Sequence, residues 1–291
     1  MKLFLRQWQV AYRLKPEGSI FSDTSTPFIV IPNTRRYTAA DPFLFTEKGI
    51  LYLFVELFDK KEDRGKLGYA IFDGEKFSDW KMIISEPYHL SYPNIFKYKD
   101  DIYIIPESNE SDTLYAYRAV NFPDKWEKIK NPILKDRKLV DTTFLDYNEQ
   151  HLMFTYDIAD NDNKKLYVYS IDESGNVKDY INDFISNDDS SARPGGNFFT
   201  YKDDIIRVSQ DCTGDYGIGV VFSRIKQCSP ECYEEERVLR ISPKDVKINK
   251  NFISGLHTYN ANEKIEVIDF HVIDFDPMVQ VRRVLNKLRL K

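Results

Sequence analysis

An all-β, five-bladed propeller is the architecture the sequence predicts, on three observations. One aromatic hairpin recurs five times at intervals of roughly 50 residues, as in radial arrays whose units bury one another's faces. Tyr and Phe are abundant, 19 and 20 among 291 residues, and aromatic side chains suit pleated, half-buried strands. Helical spacing is nearly absent until the last residues. The length would fit two average domains, but radial β folds often run this long as one, and no linker separates the repeats.

The elements follow in chain order. Residues 6–14, RQWQVAYRL, alternate apolar and polar with no hairpin partner of their own. A strand of this kind closes a circular array, so Trp8 to Tyr12 is assigned to blade five. Residues 19–38, with Pro27 and Pro32, are an extended lead-in. Blade one opens at Asp41-Pro42, turns at Lys48-Gly49 and returns through Leu51 to Val55 into Glu56. Its outer strands are expected at Gly65 to Phe72 and Lys81 to Ser85. Blade two is the clearest copy: His89 to Pro93, a strand from Asn94 to Lys97, a turn at Lys99-Asp100-Asp101, and a return through Ile105 into Glu107. Its third strand is expected at Leu114 to Arg118. Its edge is expected near Phe122 to Trp126, where Pro123 and charges discourage pairing with other chains.

Blade three opens at Asp141, turns near Asn148-Glu149 and returns into Tyr156-Asp157, with its carboxylate one residue late. Its outer strands are Leu166 to Ile171 and Val177 to Tyr180. Blade four runs from Arg193-Pro194-Gly195-Gly196 to Gln210-Asp211, with Gln in place of Glu. Tyr216 to Val220 begins its third strand and Tyr233 to Ile241 supplies its outer one. Blade five is the weakest copy, with Gly255 to Tyr259, a turn at Asn260 to Glu263, and Ile265 to Ile268 into Asp269.

Residues 1–275 thus read as one propeller. Residues 276–291 read as a short basic amphipathic helix, with Met278, Val281, Leu285 and Leu288 at helical spacing and Arg282, Arg283, Lys287, Arg289 and Lys291 on other faces. Two readings stand: a helix docked on the outside of the propeller, or attachment to an anionic membrane surface.

A net charge of −5 and no basic stripe interleaved with aromatics exclude nucleic acid as the expected partner. The N-terminal residues lack the apolar core of a signal peptide, and no stretch approaches a membrane span. The expected location is cytoplasmic, with peripheral attachment to the inner face of the membrane through the C-terminal helix. Cys212, Cys228 and Cys232 are too few for a disulfide framework, and Cys228 with Cys232 is a weak zinc signal without two further ligands.

Chemistry is expected where the copies begin and end, because innermost strands line a central channel and their first residues converge on one mouth. The opening pairs are Ala40-Asp41, Ser91-Tyr92, Val140-Asp141, Ala192-Arg193 and Leu256-His257. They differ while the apolar positions behind them are kept, which predicts an asymmetric pocket. Asp41, Asp141 and Glu107 are the candidate catalytic carboxyl groups, with Asp41 as base or nucleophile and Glu107 or Glu56 as acid. Arg193, His89, Tyr92, Glu56, His257, Gln210 and Asp211 are the candidate substrate-binding residues. The planar fork of Arg193 suits a phosphate or a sugar carboxylate. A structural salt bridge from Asp41 to Arg193 is the competing reading. His151 and His271 lie in or just beyond strands and read as structural or undecided. No cofactor is expected and no His or carboxylate spacing supports a metal; a divalent ion in the central channel is the alternative left open.

One ordered series of motifs carries a resemblance: Ala40-Asp41-Pro42-Phe43, His89 to Pro93, Ile105 to Ser108, Phe122 to Trp126, Val140-Asp141, Ala192 to Gly196, and Ser209 to Cys212 with Tyr216-Gly217. It resembles the five-bladed propeller domain of glucosamine inositolphosphorylceramide transferase-like proteins, over about residues 38–222. That domain is in turn similar to the furanosidase propellers of glycoside hydrolase families 43 and 32. The resemblance implies an Asp at the start of blade one, matched by Asp41. The furanosidases also have an Asp in blade two and a Glu in blade three, where this chain has Tyr92 and Asp141, a departure that argues against simple hydrolysis. Transfer needs a base on the acceptor hydroxyl and a cation at the leaving phosphate, roles that Asp41 and Arg193 match. The expected function is a carbohydrate-active enzyme of surface-glycan biosynthesis: a glycosyltransferase with a sugar-nucleotide or other phosphate-linked donor and a glycan or glycolipid acceptor. A furanosidase-type hydrolase and a non-catalytic sugar-binding propeller are the alternatives.

Overall fold

The computed structural model describes residues 4–15, 26–159, 164–172, 175–249 and 253–275. The expected C-terminal helix over 276–291 lies outside the described residues. The chain opens with β1 (Phe4–Leu14) and β2 (Ile29–Ile31). Blade one is β3 (Tyr37–Glu47), β4 (Ile50–Asp59), β5 (Arg64–Ile71) and β6 (Lys81–Ile84), hydrogen-bonded in that order. Blade two contains β7 (Ser91–Tyr98), β8 (Asp101–Glu107), β9 (Thr113–Leu114), β10 (Tyr117–Asn121) and β11 (Lys125–Lys128), with β12 (Leu134–Lys135) following it. Blade three is β13 (Leu139–Tyr147), β14 (Gln150–Asp157), β15 (Lys165–Ile171) and β16 (Val177–Asp179). Blade four is β17 (Phe199–Tyr201), β18 (Asp204–Asp211), β19 (Gly219–Ser229) and β20 (Cys232–Ile241). The last strands are β21 (Ile253–Gly255), β22 (Tyr259–Ala261) and β23 (Ile265–Phe275).

Five sheets stand around one axis, as the repeats predict. In the fifth, β23 pairs with β1 over the whole length of both, from Phe4 opposite Phe275 to Leu14 opposite Ile265, and β2 lies outside β1. Second strands such as β4 are buried on both faces, which explains the apolar run LYLFVELF. Leu53, Val55 and Leu57 pack with Val10, Tyr12 and Val267 on one side. Tyr52 and Phe54 pack with Tyr92, Ile95 and Ile104 on the other. Each large side chain buried this way contributes about 1.5–3 kcal/mol, so neighbouring blades stabilise one another. Gly196 is required where blades four and five meet, because a Cβ there would lie 1.9 Å from the Tyr259 carbonyl oxygen.

Blade two departs from expectation on its outer side. The expected strand from Leu114 to Arg118 is split, because β9 turns away to pair with β12 while β10 starts only at Tyr117. Pro123, which has no N–H to donate, sits in the hairpin turn between β10 and β11 rather than in an edge strand, and its carbonyl accepts the Trp126 indole N–H at 2.7 Å.

The feature that builds the site is a β-bulge repeated near the start of the inner strands. In blade one the register jumps between Ala40 opposite Glu56 and Phe43 opposite Phe54. Blade two jumps between Ser91 opposite Glu107 and Asn94 opposite Ile105. Blade three jumps between Val140 opposite Tyr156 and Thr143 opposite Phe154. Two residues thus face one each time, and the first of the two is left-handed: Asp41 at φ 50°, Tyr92 at 46° and Asp141 at 50°. This conformation costs a residue with a Cβ about 1–2 kcal/mol. The bulge turns Asp41 and Asp141 into one cluster of charged side chains, while the Tyr92 ring enters the core.

Candidate active site

Hydrogen bonds from one blade to the next hold these bulges. The backbone N–H of Asp41 donates to Oδ2 of Asp269 at 2.9 Å, and that of Tyr92 donates to Oδ2 of Asp41 at 3.0 Å. Blade five therefore holds blade one, and blade one holds blade two. The series ends there because the bulge of blade two carries Tyr92, whose hydroxyl pairs instead with Thr143 at 2.8 Å.

Asp41 is buried at 4% exposure. Its Oδ1 accepts the Thr258 hydroxyl at 3.0 Å and lies 3.3 Å from Nε2 of His257. Burial raises its pKa to about 7; His257 pulls it down, while Glu56, Asp269 and Asp141 add to the rise. Nδ1 of His257 is 2.7 Å from Oδ1 of Asp269. Burial disfavours the charged imidazole, but Asp269 and then Asp41 outweigh it and bring His257 to about 8. Trp8 stacks on this ring at 3.8 Å between centroids, and Tyr216 meets it edge-on at 5.2 Å. Gly217, at φ 62°, allows the turn after Tyr216 to close on His257, since a Cβ there would come within 2.8 Å of the His257 Cβ.

Across the mouth, the Nε of Arg193 donates to Oδ2 of Asp141, which also accepts Nε2 of Gln210 at 2.7 Å. Arg193 Nη2 lies 3.7 Å from Oε2 of Glu107, and its guanidinium covers the Tyr216 ring at 4.9 Å. Burial works against the Arg193 charge, and Asp141, Tyr216 and Glu107 more than offset it. Glu107 is pushed well above the usual carboxylate range, first by burial and then by Asp141, with Arg193 and His89 pulling the other way. Oε1 of Glu56 is 3.3 Å from Nε2 of His89. Burial opposes a charge on His89, while Glu56, then Glu107 and Glu110, lift it to about 9. Its Nδ1 accepts the Gly65 N–H at 3.0 Å. Only the neutral ring can do that, so this bond works against protonation and sets Nε2–H toward Glu56.

Most of the expected residues therefore lie in one connected cluster, in a different pattern of partners. Arg193 pairs with Asp141, and Asp41 with His257, in place of an Asp41–Arg193 bridge. His257 is 3% exposed, and both its ring nitrogens face carboxylates, Nε2 toward Asp41 and Nδ1 toward Asp269, so neither is free for a ligand. Tyr92 is fully buried, so its ring is core and only its backbone N–H serves the site. Asp211 pairs with Nε of Arg240 at 2.6 Å, because strand alternation turns it away from Gln210. In blade three Tyr156, not Asp157, takes the register place of Glu56 and Glu107; Asp157 pairs with Arg137 at 2.7 Å. The sequence reading missed Trp8, Thr258, Asp269 and Tyr216 as parts of the site. Asp269 was visible as the carboxylate ending the fifth hairpin, and Tyr216 as part of a motif.

Asp41, His257 and Asp269 bring one donor atom each within 4.8 Å of one another, a spacing that would suit a metal. In this structure the imidazole fills the space between the two carboxylates, with Nδ1 2.7 Å from Asp269 and Nε2 3.3 Å from Asp41. Each of the four carboxylate oxygens already accepts a protein donor: Thr258 hydroxyl and Tyr92 N–H on Asp41, Asp41 N–H and Thr258 N–H on Asp269.

Comparison with known proteins agrees with this architecture. The family described as glucosamine inositolphosphorylceramide transferase 1, N-terminal, matches residues 32–270. The Arabidopsis thaliana protein named glucosamine inositolphosphorylceramide transferase 1 is 35% identical over 233 residues, covering 77% of this chain. The match spans 30% of that relative's length. A thermostable family-43 glycoside hydrolase superposes with a TM-score of 0.60 at 13% identity, over 84% of this chain and 91% of its own. A Bombyx mori GH32 beta-fructofuranosidase gives 0.55 at 12% identity, over 79% and 54%. At these identities the two hydrolases show the shared fold alone.

Proposed function

The chain belongs to the glucosamine inositolphosphorylceramide transferase 1 N-terminal family, and from that premise we propose that its channel mouth transfers a sugar from a phosphate-linked donor to a hydroxyl acceptor. The observation that carries this reading is the facing of a buried base against an anion site. Asp41, with its pKa near neutrality, pairs with His257, which meets the Tyr216 ring edge-on, and Arg193, 3.7 Å from Glu107, covers the same ring. In the reaction the acceptor hydroxyl gives its proton to Asp41 and its oxygen bonds to the anomeric carbon. The bond from that carbon to the phosphate oxygen breaks, and its electron pair leaves with the phosphate. Arg193 meets that charge, and Glu107 supplies a proton to the departing oxygen. The relative's name joins glucosamine with inositolphosphorylceramide, so an aminosugar donor and a phosphoinositol-bearing glycolipid acceptor are the first pair to test.

Turnover of sugar nucleotides or lipid-phosphate sugars, with transfer to such an acceptor, supports the proposal. Release of aryl from aryl glycosides with no transfer would replace it with hydrolysis. Binding without turnover would replace it with a glycan-holding module, a reading favoured by one fact: most of the relative's length lies outside the match.

Arg193→Lys is expected to weaken binding of the phosphate-linked donor about 10- to 100-fold, the loss of one charge-assisted bidentate contact. Isothermal titration with the donor checks it, and unchanged affinity would remove Arg193 from the anion site. A lipid-linked acceptor also gives the basic residues 276–291 a role at an anionic surface, peripheral to the inner face of the membrane. Removing residues 278–291 is then expected to abolish flotation with anionic vesicles while the melting temperature stays nearly unchanged; a large fall in melting temperature would instead favour a helix docked on the propeller.

A further inference from the structure

Asp41 is held in a way that a simple surface base would not need. Its own N–H is fixed by Asp269, and the same carboxylate accepts the N–H of His257 at 3.2 Å, the N–H of Thr258 at 2.9 Å and the imidazole Nδ1 at 2.7 Å. Asp269 thus grips the bulge that carries Asp41 and aims the imidazole at Asp41 as well. The ring cannot turn away. One face lies on Trp8, an edge meets Tyr216, and His271 also stacks on Trp8 at 3.5 Å.

We infer that His257 is a positioning residue, the buried counter-ion that sets the proton affinity of Asp41, and that Asp269 anchors the pair from the last blade of the ring. This inference rests on the reading of Asp41 as the base. The other charged groups around Asp41 explain why it needs such a partner. Glu56 and Asp141 face it with its own sign, and the guanidinium of Arg193 pairs with Asp141 rather than with it. The phenols of Tyr92 and Tyr216 offer no positive charge. Two buried carboxylates on either side of one imidazole repel unless the ring is charged, and a buried charge without a partner is strongly destabilising. Beyond Trp8, His271 is held down to about 4 by burial and by the charge of His257, and Arg6 pairs with Asp215. One charge is therefore placed at His257 and none at its neighbour.

The test uses the full-length chain without ligand, labelled with carboxyl 13C in aspartate, with the Asp41 resonance identified by its loss in Asp41→Asn. In the wild type Asp41 is expected to titrate near pH 7. In His257→Gln, which keeps a polar side chain but has no charge, the midpoint is expected to rise by one unit or more, a tenfold gain in proton affinity. An unmoved midpoint would overturn the inference. Should His257→Gln not fold, 15N shifts of the wild-type imidazole decide: both nitrogens protonated below about pH 7 supports the counter-ion, and a neutral ring there overturns it. With turnover in hand, the acid limb of kcat/KM should move upward in His257→Gln, a shift that a merely structural histidine would not produce. Failure to find any transfer activity would sink the proposed function and leave the titration result untouched.

Discussion

Asp41→Asn is expected to lower kcat by about 10²–10⁴-fold, the usual worth of a positioned general base, with donor affinity little changed. An amide cannot accept the acceptor's proton. The pH profile gives the same residue a second signature. Asp41 must be deprotonated to act, so activity should rise as pH passes through about 7. It should fall again only when Glu107, held well above its ordinary range, loses its proton. In Asp41→Asn the rising limb should vanish.

Sequence alone suggests that this variant folds as well as the wild type or better, by relieving an unpaired charge. The structure changes that expectation. Both oxygens of Asp41 accept protein donors, the Tyr92 N–H and the Thr258 hydroxyl, and the amide of Asn would set a donor against one of them. A loss of about 1–3 kcal/mol is expected for the unsatisfied group, readable as an earlier urea midpoint. Full turnover by a folded Asp41→Asn would end the catalytic reading and leave the binding module in its place.

Deleting residues 1–14 is expected to abolish cooperative unfolding altogether. β1 is an interior strand, bonded to β23 on one side and β2 on the other, so its loss opens the fifth sheet at its middle. Val10, Ala11 and Tyr12 leave the core, where they are 0%, 0% and 3% exposed. Arg13 leaves Glu266, which is 0% exposed, without its guanidinium. Stranding a buried partner costs about 3–5 kcal/mol, and the lost apolar burial brings the total to the scale of a whole domain's stability, about 5–15 kcal/mol. Trp8 goes with the strand, so the support behind His257 is lost as well. Circular dichroism melts and gel filtration would show this as a broad transition and an expanded or aggregated chain. A truncated chain that melted sharply within a few degrees of the wild type would mean that β1 is dispensable to the ring.

The sequence by itself determined the number of blades, the strand hairpins and the positions from which the site is drawn. Those features are local. Alternating burial, turns at Lys48-Gly49 and Lys99-Asp100, and the carboxylates at Glu56 and Glu107 all repeat within one hairpin, so a single copy carries the pattern. The tertiary structure alone decided who partners whom at the mouth. Asp41 meets Asp269 across 228 residues of chain and Thr258 across 217, and Arg193 takes Asp141 rather than Asp41. Strand alternation sends Gln210 inward and Asp211 to Arg240. Trp8 reaches His257 only because β1 lies against β23. Bulge register and ring closure are properties of paired strands, and a one-residue change in pairing reverses the face of every side chain that follows. No pattern within one repeat encodes that choice.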